Sequence, residues 1–222
     1  GEITVFASSL TFLTKSIETP PDKYHGLVDA ELRQRMRYLD LIHGDGVLER
    51  FTARIRIIEA VRRTLTDRRY LEVEGPTLHT IAGGAAARPF ATHHNALDMP
   101  IVMRIALELH LKRLLVGGME RVFELGRVYR NEGISTRHNP EFTMLEAYEA
   151  YGNYETMMDL TEAIILNAAE AAGTPTQHAW MGKEIDLSAP FRRARYDDLL
   201  AEVTGCDPAD PASVAAAAAK RE

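Results

Sequence analysis

Two alternating runs on either side of a polar loop, within 123-FELGRVYRNEGISTRHNPEFTMLEAYEAY-151, constrain the fold more than any other part of this sequence. A period of two marks a strand with two unlike faces, because successive side chains point to opposite sides of a pleated backbone. From Arg121 to Tyr151 the pattern predicts two antiparallel strands joined by the loop 131–140. On the second strand Phe142, Met144, Glu146 and Tyr148 share one face. If the loop closes in the simplest register, Arg130 lies across from Phe142 and Gly126 across from Glu146. That face then carries a cation, an aromatic ring, a carboxylate and a phenol, with a glycine leaving space above the carboxylate.

The flanking segments supply helices. Leu48, Phe51, Ile55, Ile58, Val61 and Leu65 recur at intervals of three and four, which predicts a long helix after the Gly44-Asp45-Gly46 turn. Its other face carries Arg62, Arg63, Arg68 and Arg69, read as a solvated face in preference to an RNA-binding patch. A short strand at Tyr70–Glu74 follows and stops at Gly75-Pro76. Further helices are expected over residues 107–116, closed by Gly117-Gly118, and from Tyr154 to Ala172, capped by Asn153 and ended by Gly173. A shorter basic helix is expected over Asp29–Ile42, and 82-AGGAAAR-88 reads as a small-residue loop. Residues 1–17, rich in β-branched and aromatic side chains, fit one or two strands, with a boundary near the Pro20-Pro21 pair.

With 222 residues, 45% hydrophobic and 26% charged, the chain can bury one substantial core or a core plus a small appendage. No apolar run approaches the roughly 18 to 20 residues that cross a bilayer, and the N-terminus lacks a secretory layout, so the expectation is a cytoplasmic location without membrane contact. Cys206 is the single cysteine, which excludes an internal disulfide and a cysteine-built zinc site. A net charge of −6 argues against an overall electrostatic grip on nucleic acid. Gly1 is not an initiator methionine and Ile3–Leu13 already reads as strand, so the chain is expected to start in mid-fold. The alanine-rich stretch 214–222 has helix propensity but little to bury, and reads as a cut or frayed end.

The loop of the hairpin adds Glu132, Arg137, His138 and Asn139 beside Arg130 and Phe142. Guanidinium forks suit phosphate oxygens and an aromatic face suits a stacked base, so a nucleoside triphosphate is the natural guest. A polar hairpin with an incidental ion-pair network accounts for the same residues equally well. Glu146 with the Tyr148 hydroxyl beside it suits an ammonium group, since a buried carboxylate left without a cation is costly. Adjacent His93 and His94 cannot readily both face one metal ion from a strand. Met157, Met158, Ile164 and Ile165 form a helix stripe that faces a core, and His110 reads as a packing residue.

The string Tyr129-Arg130-Asn131-Glu132-Gly133-Ile134, followed by Arg137-His138-Asn139-Pro140-Glu141-Phe142-Thr143-Met144-Leu145-Glu146, resembles motif 2 of class II aminoacyl-tRNA synthetases, and specifically that of the lysyl enzymes. The long helix ending in Leu71-Glu72-Val73-Glu74-Gly75-Pro76 is similar to motif 1. Further strings with the same resemblance are Tyr24-His25-Gly26-Leu27, Arg37-Tyr38-Leu39-Asp40-Leu41, Gly83–Phe90 and Thr92–Asp98, so that the likeness runs in order through residues 1–172.

The resemblance implies an α+β fold, an antiparallel sheet flanked by helices and preceded by the terminal strands of an OB barrel. Residues 1–20 are then the end of an OB-fold anticodon-binding domain, 21–46 a linker, and 47–222 the front part of a catalytic domain. It implies ATP-dependent activation of L-lysine to lysyl-adenylate and transfer to tRNA(Lys), by a homodimer joined through the motif 1 helix. Arg130 is implied as the catalytic bridge between the lysine carboxylate and the α-phosphate. ATP would also be held by Glu132, Arg137, His138, Asn139 and Phe142, and lysine by Gly84, Glu108, Arg130, Glu146 and Tyr148. No match to motif 3 is evident, and the family's magnesium-binding carboxylates are expected outside this chain. Leu107 stands for a common proline, Gly75 for a threonine, and Pro100 interrupts a segment that is usually more strand-like; these departures bear on how Glu108 is positioned. Rival readings are a short paralogue that binds lysine or nucleotide without catalysis, and a relative that passes lysine to phosphatidylglycerol or to an elongation factor.

Overall fold

A computed structural model describes residues 3–22 and 25–220; Tyr24 of the Tyr24–Leu27 string lies outside them. The chain divides into two compact units, Gly1–Arg56 and Ile57–Glu222, with the division inside one helix. Among the described residues no helix is long and apolar enough to cross a membrane.

In the first unit, residues 3–20 run without strand pairing, and Ile3, Val5, Phe6, Leu10, Phe12, Leu13 and Ile17 are exposed. The strands expected there are not formed. β-Branched composition gives strand preference, but a strand also needs a neighbour to receive its backbone donors and acceptors. The helix expected over 29–42 is two helices, α1 (Ala30–Arg35) and α2 (Arg37–His43), broken at Met36, whose ψ of 53° is not helical. Asp29 caps α1 by accepting the Leu32 N–H at 2.8 Å. Asp40, 1% exposed, sits between Arg33 and Arg37, with one carboxylate oxygen 2.7 Å from each guanidinium. The Arg37 guanidinium also lies over the Phe51 ring, 4.9 Å from its centroid.

The long helix α3 spans Val47–Asp67. Its apolar stripe is used unevenly: Val61 and Leu65 enter a core, while Leu48 and Ile55 are 58% and 65% exposed. Arg62 and Arg63 pair with Glu72 and Glu59, and Arg68 donates to the Thr64 carbonyl, as a solvated face requires. Arg69, in the left-handed region at φ 66°, ends the turn without a glycine.

The second unit is built on a sheet ordered β1-β5-β6, from β1 (Leu71–Glu72), β5 (Arg121–Tyr129) and β6 (Glu141–Glu149). β1 runs parallel to β5, and β5 pairs antiparallel with β6 over nine residue pairs, Arg121↔Glu149 to Tyr129↔Glu141. A second antiparallel sheet is ordered β2-β4-β3, from β2 (Leu78–His79), β3 (Ala91–His94) and β4 (Met99–Met103). Pro100 therefore lies within a strand. It is tolerated because β2 reaches only Val102 and Met103, which leaves Pro100 with a neighbour on one side alone.

Alternation along β5 and β6 divides the core in two. Phe123, Leu145 and Ala147 face α3 and α5 (Tyr154–Ala172), where Leu65, Tyr70 and Leu160 pack. Val122, Val128, Phe142, Met144 and Tyr148 face α4 (Glu108–Val116), where Leu107 and Leu111 pack. α5 begins at Asn153, whose side chain accepts the Thr156 N–H in a reciprocal cap, and ends at Gly173 with φ 70°. Asn167 of α5 donates to the Thr64 hydroxyl of α3 at 2.8 Å. Beyond α5 come a hairpin, β7 (Gln177–Trp180) with β8 (Lys183–Asp186), and two helices, α6 (Tyr196–Thr204) and α7 (Pro211–Ala219).

Candidate functional site

The hairpin face that the alternation predicts exists, but its register differs by two residues from the simplest closure. Phe142 pairs with Val128, Met144 with Gly126 and Glu146 with Glu124, while the Arg130 N–H reaches the Pro140 carbonyl at 2.8 Å. A slip of two keeps every side chain on its face, whereas a slip of one would have turned the cluster over. Arg130 still meets Phe142, diagonally, with its guanidinium carbon 5.2 Å from the ring centroid. Gly126 does not clear space above Glu146. A Cβ there would come within 2.4 Å of Arg104 Nη2 and 2.9 Å of Glu124 Oε1.

Arg130, Glu132, Gly133, Arg137, His138, Asn139 and Phe142 together line a cavity of about 310 Å³. It is floored by an aromatic ring and walled by cations, the chemistry that suits a purine and its phosphates. Two loop residues are tied down locally. The Ser135 hydroxyl lies 2.7 Å from His138 Nδ1, and Glu132 Oε1 accepts the Arg88 N–H at 3.1 Å. The Asn131 N–H in turn donates to the Arg88 carbonyl at 2.7 Å. The small-residue loop thus docks against the start of the hairpin loop, and Arg88 enters the neighbourhood without having been singled out from the sequence.

At the other end of the same face, Glu146 and Tyr148 stand two residues apart on β6. Glu146 Oε2 accepts the Tyr148 hydroxyl at 2.8 Å, and Oε1 accepts the Leu107 N–H at 2.9 Å. Burial, then the hydrogen bond and charge of Glu146, then the charge of Glu108, push the Tyr148 hydroxyl well above its ordinary value, so it stays a donor. Proline at residue 107 would have no N–H to give; leucine supplies one, and its side chain is 2% exposed in the α4 core. The departure at residue 107 therefore tightens the hold on Glu146.

Glu108 opens α4 and lies against Gly84. A Cβ on Gly84 would be 3.0 Å from Ala106 Cβ and 3.1 Å from Glu108 Cβ, and Gly84 has φ 86°, so glycine is required both for space and for backbone conformation. Glu108 Oε1 also pairs with Lys112 Nζ at 2.5 Å, and Nζ lies 5.9 Å from the Tyr148 ring centroid. Lys112 was not read from the sequence; its spacing of four from Glu108 was the available signal.

Glu124, the cross-strand partner of Glu146, forms an ion pair with Arg104; the two are 3% and 5% exposed, with Nη1 2.6 Å from Oε1. The contact is one of proximity, since Oε1 makes no aligned hydrogen bond. Arg104 donates to the carbonyls of Arg127 and Gly75, and Glu124 Oε2 accepts the Gly75 N–H. The pair joins β5 to the segment that leads into α4. His110 packs against His79, with ring centroids 4.7 Å apart and the rings tilted by 60°. Burial first, then the charge of His79, hold its imidazole below the ordinary value. His93 pairs with Asp98 at 3.1 Å, and His94 Nδ1 accepts the Leu97 N–H. Among the described residues no group of three or more His, Cys, Asp or Glu is arranged to hold a metal ion.

Residues 29–218 match the family of class II tRNA synthetases (D, K and N). The match extends well beyond residue 172, where the likeness read from the sequence ended. The lysine–tRNA ligase of Enterococcus faecalis is 58% identical over 207 residues, 93% of this chain and 42% of that protein. Those of Bacillus subtilis and Bacillus cytotoxicus are each 55% identical, the latter over 96% of this chain and 43% of its own length. The chain thus spans about two fifths of the length of these curated relatives.

Proposed function

The chain belongs to the class II tRNA synthetases (D, K and N), and from that premise we propose that it binds L-lysine and ATP and carries the front part of a lysine–tRNA ligase site. The observation that carries the lysine reading is Glu146, a carboxylate held as an acceptor by the Tyr148 hydroxyl and the Leu107 N–H and in no ion pair among the described residues. Such a group recognises a primary ammonium and rejects ligands that lack one, because they would leave the carboxylate desolvated and unpaired.

In this reading Glu108, with the Gly84 backbone beside it, receives the α-amino group, and Arg130 receives the lysine carboxylate together with the α-phosphate. Phe142 stacks on adenine, Arg137 and His138 hold the outer phosphates, and Glu132 and Asn139 fix the nucleotide. A lysine carboxylate oxygen attacks the α-phosphorus; the new O–P bond forms as the bond to pyrophosphate breaks. Arg130 holds both reactants and offsets the charge that builds at phosphorus. The lysyl group then passes to a terminal adenosine hydroxyl of tRNA(Lys), and AMP leaves. Magnesium belongs to the family's chemistry, and the described residues include no group of three or more His, Cys, Asp or Glu that would hold it.

The same reading makes residues 1–20 the end of an OB-fold anticodon-binding domain, 21–46 a linker and 47–222 the front of the catalytic domain. The exposed apolar side chains of residues 3–17 support a missing partner for that segment. The exposure of Leu48 and Ile55 on α3 supports a homodimer through that helix. A cytoplasmic site of action accords with these substrates.

Calorimetric titration tests the proposal. L-Lysine binds saturably, norleucine and L-aspartate do not, and ATP strengthens lysine binding in the wild type but not in Arg130→Ala. Equal binding of norleucine and lysine would refute the assignment.

A further inference from the structure

The chain carries an ammonium group of its own beside the proposed lysine site. Lys112 lies one turn along α4 from Glu108, its Nζ 2.5 Å from Glu108 Oε1 and 5.9 Å from the centroid of the Tyr148 ring. We propose that Lys112 competes with the α-ammonium of the amino acid for Glu108 and so sets the affinity of the site, an inference that rests on the lysine reading above.

Occupancy of the carboxylate carries the argument. Glu108 Oε1 is taken by Nζ, while Oε2 lies on the side where Gly84 has no side chain. An ammonium that reaches Glu108 there shares a carboxylate that Lys112 already holds, and two ammonium groups on one carboxylate repel each other. The charges point the same way. Of the residues proposed for lysine, Glu108 and Glu146 are negative and Arg130 is positive, and Lys112 beside Glu108 makes the count two against two. Lysine adds two ammonium groups and one carboxylate, and the balance returns to neutral when the Lys112 charge leaves the site. Leaving is easy, because the Lys112 side chain is 56% exposed and its head can move into water while its stem stays on the helix. An ordinary helix-stabilising pair at this spacing would be indifferent to the ligand.

Two ligands separate these cases. 6-Aminohexanoate has the carboxylate and the distal ammonium of lysine but no α-amino group. In calorimetry with the whole chain, Lys112→Met binds L-lysine about two- to fivefold more tightly than wild type, the scale of an exposed ion pair. Its affinity for 6-aminohexanoate is unchanged, and Lys112→Arg behaves as wild type for both. Unchanged or weaker L-lysine binding by Lys112→Met, or an equal gain for both ligands, would overturn the competition while leaving the lysine site intact. A wild-type chain that binds no L-lysine would overturn the site itself, and the competition with it.

Discussion

Glu146→Gln tests the site at the group on which the proposed lysine selection depends. The substitution keeps size and shape but removes the charge and turns one acceptor oxygen into an NH₂ donor. Both carboxylate oxygens are engaged, one by the Tyr148 hydroxyl at 2.8 Å and one by the Leu107 N–H at 2.9 Å. Whichever way the amide turns, one donor faces another donor. An unmatched buried donor costs about 1–3 kcal/mol, discounted here toward the low end because Tyr148 can rotate its hydroxyl. For a chain of this size each 1 kcal/mol lowers the melting temperature by about 2–4 °C, so a fall of a few degrees is expected. The ligand loses more. A hydrogen bond to a charged group is worth about 1.5–3 kcal/mol, and 1.4 kcal/mol is tenfold in affinity, so L-lysine binding weakens by about ten- to a hundredfold. Calorimetry supplies the affinity and circular dichroism the melting curve. If Glu146→Gln binds L-lysine within twofold of wild type while remaining folded, Glu146 does not receive the ammonium and the reasoning fails.

Arg104→Met leaves Glu124 charged, buried and unpaired, which costs about 3–5 kcal/mol; adding Glu124→Leu recovers much of the loss in thermal melts. Gly84→Ala forces a Cβ to 3.1 Å from Glu108 Cβ at a φ of 86°. Its lysine affinity is expected to fall severalfold with a small change in melting, about 1 kcal/mol of backbone strain. Hydrogen bonding to Arg33, then the charges of Arg33 and Arg37, outweigh burial and hold the Asp40 carboxyl below its ordinary value of 3.8. A group depressed on folding contributes stability above its unfolded value and loses it as pH falls through the folded one. Melting temperature should therefore drop with acid below 3.8 in the wild type, and that component of the drop should be missing in Asp40→Asn.

How much of this was legible in the sequence depended on whether the controlling interaction was local. The hairpin strands, the α5 helix with its Asn153 cap and the Gly117-Gly118 end of α4 follow from period and cap residues, and all three form. The hairpin register was off by two because a ten-residue loop, 131–140, does not fix closure as a two-residue turn does. The β7–β8 hairpin went unread because its turn, Met181-Gly182, takes positive φ at both residues without the usual Asn or Asp signal. Strands in residues 3–17 were read from composition alone, and composition cannot supply a partner. Of the candidate site residues, Arg130, Phe142, Glu146 and Tyr148 share the predicted face, and Gly84 meets Glu108. Arg104 and Glu124 were invisible as a pair, since each is one charge within an apolar run and only the fold brings them 2.6 Å apart.

The donor from residue 107 to Glu146 belongs to the main chain. Nineteen of the twenty amino acids supply it equally well, so a saturation library at this position would separate two pressures that usually travel together. Its side-chain preferences would report only how well the α4 core fills, while the single imino acid would act as a switch on the electrostatics of Glu146. Residue 107 is thus a place where drift in packing and change at Glu146 are uncoupled, and where the affinity of the proposed lysine site can be tuned without touching a residue assigned to the ligand.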